Sequence, residues 1–182
     1  MLPAPACPFI LLLAVLPGLA QTPPAAERLA PYVPSPQVVV ERMLEAARLK
    51  PGETVYDLGC GDGRILIIAA QKFKAKGVGV ELSADLARKT QEHVKRLGLQ
   101  NRITIIHGDL LGADVSSADV VTLYLETSSN ARLRPRLEQF LKSGARVVSH
   151  DFAMRGWKPV RIEKVEDSSR IHTIYVYQIK KN

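Results

Sequence analysis

Thiolate chemistry has little to work with in this chain. Its 182 residues include two cysteines, Cys7 and Cys60, far apart and with no Cys-x-x-Cys pair. That count excludes a disulfide scaffold and a zinc site built from thiolates. The four histidines, His93, His107, His150 and His172, have no metal-ligand spacing, so no metal is expected. A run of about 18 apolar residues, long enough to span a membrane, is also missing: the stretch Phe9 to Leu16 is shorter, and Pro17 ends it. Excess charge is modest, 25 basic against 18 acidic side chains for a net +7. An acidic partner is compatible with that balance, but solubility is the simpler reading. What is present is ordinary globular composition, 46% hydrophobic and 24% charged, in a length that suits one self-sufficient domain.

The chain divides near residue 30. Residues 1–20 carry no charged side chain, and Gly18-Leu19-Ala20 follows the apolar stretch. This is the pattern of a secretory signal with a small-residue cleavage site, or of an N-terminal anchor, and it points to export or membrane association. Its lack of basic residues is the weakness of that reading, and the alternative is a start codon further downstream and a cytoplasmic domain. Cys7 precedes the apolar stretch, so it is not placed as a lipid anchor. Residues 21–30 read as a linker, since nine of the twelve prolines fall before residue 37. Residues 31–182 are the folded domain.

Strand and helix patterns alternate from Ser35 onward. Ser35 is placed to cap a first helix with Pro36 in its opening turn. Strands follow at Thr54 to Leu58, Gly77 to Glu81, Ile103 to His107, Asp119 to Leu125 and Ala145 to Ser149. Helices are expected at Gly63 to Phe73, Ser83 to Leu97 and Leu133 to Leu141. The end differs: Val160 to Val165 and Thr173 to Ile179 alternate as strands with no helix between, which predicts an antiparallel hairpin. The sum is an α/β fold, a Rossmann-like, doubly wound, mostly parallel sheet with an antiparallel C-terminal edge.

The informative segment is Val55-Tyr56-Asp57-Leu58-Gly59-Cys60-Gly61-Asp62-Gly63-Arg64. A strand entering a glycine-rich turn and then a helix marks a nucleotide-cofactor site at the carboxyl end of a sheet. Arg64 stands where a dinucleotide fingerprint needs its third glycine, and no Walker lysine-serine pair occurs. The pattern is G-x-G-x-G, with Asp57 two residues ahead. That carboxylate would repel a pyrophosphate but suits a ligand bearing an ammonium, as S-adenosylmethionine does. Glu81, ending the next strand, can accept both ribose hydroxyls. Asp109, followed by Leu110 after the third strand, can take an adenine amino group. A lone acidic residue after a strand is most often a helix cap; three after successive strands beside this turn are a site. Cys60, inside the turn, reads as packing.

These residues resemble the seven-strand S-adenosylmethionine-dependent methyltransferases, and more closely the small protein-lysine methyltransferases of archaea with relatives in animal mitochondria. The closer resemblance rests on Pro31-Tyr32-Val33-Pro34-Ser35-Pro36, Val38 to Leu44, Asp119 to Leu125, Arg146 to Phe152 and Arg155-Gly156-Trp157. It spans about residues 31–179. More distantly the chain is similar to the histone-core lysine methyltransferases that lack a SET domain. The resemblance implies seven strands, with Tyr32, Val33 and Ser35 closing over the cofactor. It implies that Asp57, Gly59, Gly61, Glu81, Asp109 and Leu110 hold the cofactor, and that Tyr124 to Asn130 line a substrate entrance.

Methyl transfer to an amine needs positioning more than acid-base machinery, because the sulfonium already activates the methyl group. Tyr124 and Glu126 are the groups expected at the channel mouth, with Tyr124 as strand core the competing reading; for Phe152 and Trp157 core is the favoured reading and guarding the active-site rim the competing one. No Asn-Pro-Pro-Tyr or Asp-Pro-Pro-Tyr run occurs, which counts against adenine-amine methylation of nucleic acid. The expected partner is a protein presenting a lysine. Two alternatives stay open: methylation of a small molecule or RNA, and a non-catalytic cofactor-binding module.

Overall fold

The computed structural model describes residues 33–181. The signal-like segment 1–20, the linker 21–30 and Tyr32 lie outside them. Among the described residues no helix is long and apolar enough to cross a membrane.

Elements run in the order α1 (Gln37–Ala46), β1 (Thr54–Leu58), α2 (Arg64–Lys72), β2 (Lys76–Glu81), α3 (Ala84–Arg96), β3 (Ile103–His107), a 3-10 turn (Leu110–Gly112), β4 (Val120–Leu123), α4 (Thr127–Phe140), β5 (Arg146–His150), β6 (Arg161–Glu166) and β7 (Ile171–Gln178). The seven strands form one sheet in the order β3-β2-β1-β4-β5-β7-β6. The first five pair in parallel, and β7 joins β5 and β6 antiparallel. The expected Rossmann-like architecture with its C-terminal hairpin is therefore present.

Strand alternation sends side chains to two cores. Val55, Val120, Val148 and Val176 face a cluster that includes Val40 and Leu44 of α1, Ile65 and Leu66 of α2, and Ala87 and Val94 of α3. Tyr56, Leu58, Val121, Leu123 and Val147 face the other side, where Leu133 and Leu137 of α4 cover them. Glycine permits close approach at one point: a Cβ on Gly79 would lie 2.6 Å from Cys60 Sγ and 2.8 Å from Leu66 Cδ1. Helix α2 can thus lie directly on β2 and fix the turn that precedes it.

Two local expectations are corrected. Ser35 does not cap α1: Pro36 holds the N-cap position without a side-chain bond, and the serine hydroxyl is used elsewhere. Helix α4 starts at Thr127, before the expected Leu133, and continues through Pro135. Its first turn, Thr-Ser-Ser-Asn, reads as loop because such side chains compete for backbone hydrogen bonds. Here tertiary bonds settle the competition, since buried Asn130 donates to Ser149 Oγ at 3.3 Å and to the Phe152 carbonyl at 3.1 Å.

Candidate functional site

The turn between β1 and α2 holds Gly59, Gly61 and Gly63 at φ of 89°, 53° and 76°. This left-handed backbone is cheap only for glycine. The amides of Gly59 and Cys60 both donate to the Val80 carbonyl at 2.8 and 3.0 Å. Gly61 N donates to Glu81 Oε2 at 3.0 Å, and Thr90 Oγ1 donates to the Gly61 carbonyl at 2.7 Å. The end of β2 and helix α3 therefore hold the turn open as the floor of a cleft. Asp57, Glu81, Asp109 and Leu110 line that cleft, with Val33 and Ser35 on one wall and Tyr124 on another. Every predicted cofactor residue that the structure describes is there.

Asp57 is 4% exposed, and Thr122 Oγ1 donates to its Oδ1 at 2.8 Å. Register makes that bond: Asp57 and Thr122 are direct partners on β1 and β4. Among the described residues no cation sits against this carboxyl. Burial, with Asp62 and Glu81 adding negative charge nearby, pushes its pKa up to about 7. A buried acid surrounded by acids is a site that a cation would relieve. The same burial, beside Asp57 and Glu81, pushes the Cys60 thiol up, so Cys60 is inert packing. Glu81 Oε1 also accepts from Ser83 N at 2.8 Å, which fixes the carboxylate plane. Asp109 Oδ1 accepts from Leu111 N at 2.9 Å and caps the 3-10 turn. Bare backbone, an uncompensated buried acid and two oriented carboxylates fit a cationic nucleoside cofactor.

The other expectations divide. Tyr124 is not ordinary core: half-buried, it stacks on the His150 ring at a centroid distance of 3.9 Å. Its hydroxyl accepts from Arg170 Nη2 at 3.2 Å. Glu126 is exposed at the N-cap of α4 and is not part of the cleft lining. Ser129 and Asn130 are buried and do not line an entrance. Trp157, half-buried, packs edge-on against Tyr177 at 5.5 Å at the margin of the core, and Phe152, also half-buried, flanks Tyr124 at 6.1 Å.

Sequence reasoning treated the histidines as isolated. The antiparallel pairing of β5 with β7 brings two of them together, His150 Nε2 lying 2.8 Å from His172 Nδ1. Asp151 Oδ2 is 3.3 Å from the first ring and 3.5 Å from the second. His150 Nδ1 meets Ser35 Oγ at 2.9 Å, which is where that hydroxyl is used. Arg64 reinforces the junction, donating from Nη1 to the Ser35 carbonyl at 2.9 Å while its guanidinium holds Asp62. The available signal was positional: a histidine just after one predicted strand and another just before the second strand of a predicted hairpin.

Comparison with known proteins gives the same direction. The model of the ANTKMT methyltransferase domain family matches residues 57–161. The chain is 48% identical over 150 residues to a protein-lysine N-methyltransferase of Saccharolobus islandicus, covering 82% of this chain and 93% of that one. It is 33% identical over 146 residues to the mouse adenine nucleotide translocase lysine N-methyltransferase, covering 80% of this chain but 62% of that protein. Among solved structures, an RNA methyltransferase from Salinibacter ruber in complex with S-adenosyl-L-homocysteine superposes with a TM-score of 0.77. Its identity is 45%, with 82% of this chain and 95% of that one covered.

Proposed function

The chain belongs to the ANTKMT methyltransferase domain family and is an S-adenosylmethionine-dependent methyltransferase, and from that premise we propose that it methylates lysine side chains of a protein substrate. The observation that carries the acceptor is the 48% identity to a protein-lysine N-methyltransferase over 93% of that protein's length. The cleft is compatible with it, since Tyr124 gives one wall an aromatic face against which a lysine stem can pack.

In this reading Asp57 takes the cofactor's ammonium, Glu81 the ribose hydroxyls, and Asp109 with Leu110 the adenine end. Gly59 and Gly61 offer bare backbone. Val33 and Ser35 cover the ligand from the N-terminal side, with Tyr32 preceding them. S-adenosylmethionine supplies an activated methyl group. The residues around it orient the two reactants and exclude water. Tyr124 is the group assigned to the acceptor channel, and Glu126, exposed on the outside, is given no role. A lysine ammonium has an ordinary pKa near 10.4 and must lose its proton before it can attack.

A second reading has one specific support: the Salinibacter ruber protein, 45% identical, carries the name RNA methyltransferase. The two are separated by transferring a tritiated methyl group into whole-cell lysate and sorting the label into protein, RNA and small-molecule fractions. Label in the protein fraction, resistant to ribonuclease, is the expected result. Label confined to RNA overturns the proposal.

A further inference from the structure

We propose that Ser35, His150, His172 and Asp167 form a proton relay that carries the acceptor lysine's proton from the cofactor cleft to the far face of the β5–β7 edge. The inference rests on the lysine reading above, which requires an ammonium to be deprotonated in a site from which water is excluded.

The geometry is a continuous file. Ser35 lines the cleft, and its Oγ lies 2.9 Å from His150 Nδ1. His150 Nε2 is 2.8 Å from His172 Nδ1. His172 Nε2 is 3.3 Å from Asp167 Oδ2. The rings are 0% and 3% exposed, so the file crosses the protein interior. Its last link is the loosest, for His172 Nε2 makes no well-aligned hydrogen bond. It is also the link nearest solvent, where a water can bridge.

The proton positions follow from the outer end. Hydrogen bonds from Ser169 and from the Ser169 and Arg170 amides hold the Asp167 carboxyl well below the usual range, so it is ionised. With the His172 hydrogen placed on Nε2, toward the Asp167 carboxylate, Nδ1 is free to accept from His150 Nε2, and His150 Nδ1 then accepts from the Ser35 hydroxyl. In this set of tautomers, the one the relay uses, every hydrogen points outward. The groups facing His150 are Tyr124 beyond β4, Asp151 beyond β5, His172 on β7, and Arg170 and Asp167 in the β6–β7 turn. Burial holds His150 down to about 4, so the ring conducts and does not store the proton.

The step balances. The ammonium N–H breaks and its proton bonds to Ser35 Oγ, whose own proton passes to His150 Nδ1. The His150 Nε2 proton passes to His172 Nδ1, and the His172 Nε2 proton to Asp167 and then to water. The amine keeps its lone pair for the methyl group. Both rings end in the opposite tautomer. Once product leaves and the cleft opens, one proton taken up from water at Asp167 and passed inward to water in the cleft restores them. A metal held by His150, Asp151 and His172 would be a different use of the same donors. Against it, Arg170 Nη2 is bonded to Asp151 Oδ2, the oxygen that faces both rings.

The test uses the full chain, a tritiated-methyl cofactor and total cell protein as acceptor, with methyl-lysine quantified after acid hydrolysis. His172→Gln and the near-surface Asp167→Asn are compared with the parent protein from pH 6.5 to 10. Both variants are expected to bind cofactor within about twofold of the parent. At neutral pH they should lose tenfold or more in kcat, within the usual range for an assisted proton transfer. The deficit should close as pH rises, because the amine then loses its proton without the relay. A deficit of equal size at every pH, or none in either variant, overturns the relay. So does a chelator that abolishes the parent's activity with zinc restoring it. If His172→Gln fails to fold, Asp167→Asn alone decides. A parent protein that labels no lysine overturns the acceptor reading as well, an outcome distinct from pH-independent variants.

Discussion

Two halves of the site region, the cleft and the histidine cluster beside it, use charge in opposite ways. At the ends of β1, β2 and β3, three carboxylates face a cavity, and the buried Asp57 has no cation against it among the described residues. At the ends of β4 and β5 and the start of β7, Asp151 already holds Arg170, and the imidazoles hold Ser35 and each other. The first half is electrostatically incomplete and gains from a cationic ligand. The second is paired within the protein at every link but the outermost, where His172 Nε2 faces Asp167 at 3.3 Å. Perturbed titration thus has two forms side by side, a buried acid pushed up in the cleft and a buried imidazole held down next to it.

The largest effect should break the first half alone. Glu81→Ala and Asp57→Ala should each weaken cofactor binding by about 1.5–3 kcal/mol, or roughly ten- to a hundredfold. Titration calorimetry reads this directly, and unchanged affinity in Glu81→Ala would remove the site assignment. Asp109→Ala should cost less, since an adenine amino group is neutral.

Next comes pH. Asp57 is pushed up to about 7, and a cationic ligand favours its charged form. Affinity should therefore rise roughly tenfold per pH unit below 7 and flatten above it. Calorimetry in two buffers of different ionisation enthalpy should show proton release near pH 6.5, absent in Asp57→Asn.

Stability should show opposing slopes. The raised Asp57 value means a contribution present below its ordinary 3.8 and lost as pH rises through about 7. The lowered His150 value means a contribution present above 6.5 and lost as pH falls through about 4. Asp57→Asn should accordingly stabilise the ligand-free domain at pH 8 and leave it unchanged at pH 4, as denaturant titration can measure. Equal effects at both values would show that Asp57 titrates normally.

The smallest expected effect is that of Tyr124→Phe. The ring keeps its stack on His150 and loses the hydroxyl that accepts from Arg170, so kcat should change only a few-fold. A loss of several orders of magnitude would place that hydroxyl in the chemistry.

The same contrast explains what was readable in the sequence. The cofactor half is local: glycines and Asp57 share one ten-residue segment, and Glu81 and Asp109 each follow a strand whose apolar run announces it. The other half depends on register. His150 and His172 meet only because β7 turns back along β5, and one-dimensional spacing carries no such information. Asn130, read as entrance, is spent on bonds to Ser149 and Phe152. Ser35, read as a helix cap, lines the cleft instead and spends its hydroxyl on His150.

The most direct test is the position of the transferred group. Tandem mass spectrometry of acceptors labelled with a deuterated-methyl cofactor should place the methyl on lysine Nζ, and Glu81→Ala should lower the signal at limiting cofactor by roughly ten- to a hundredfold. Label on a nucleotide, or on any protein atom other than lysine Nζ, would contradict the account.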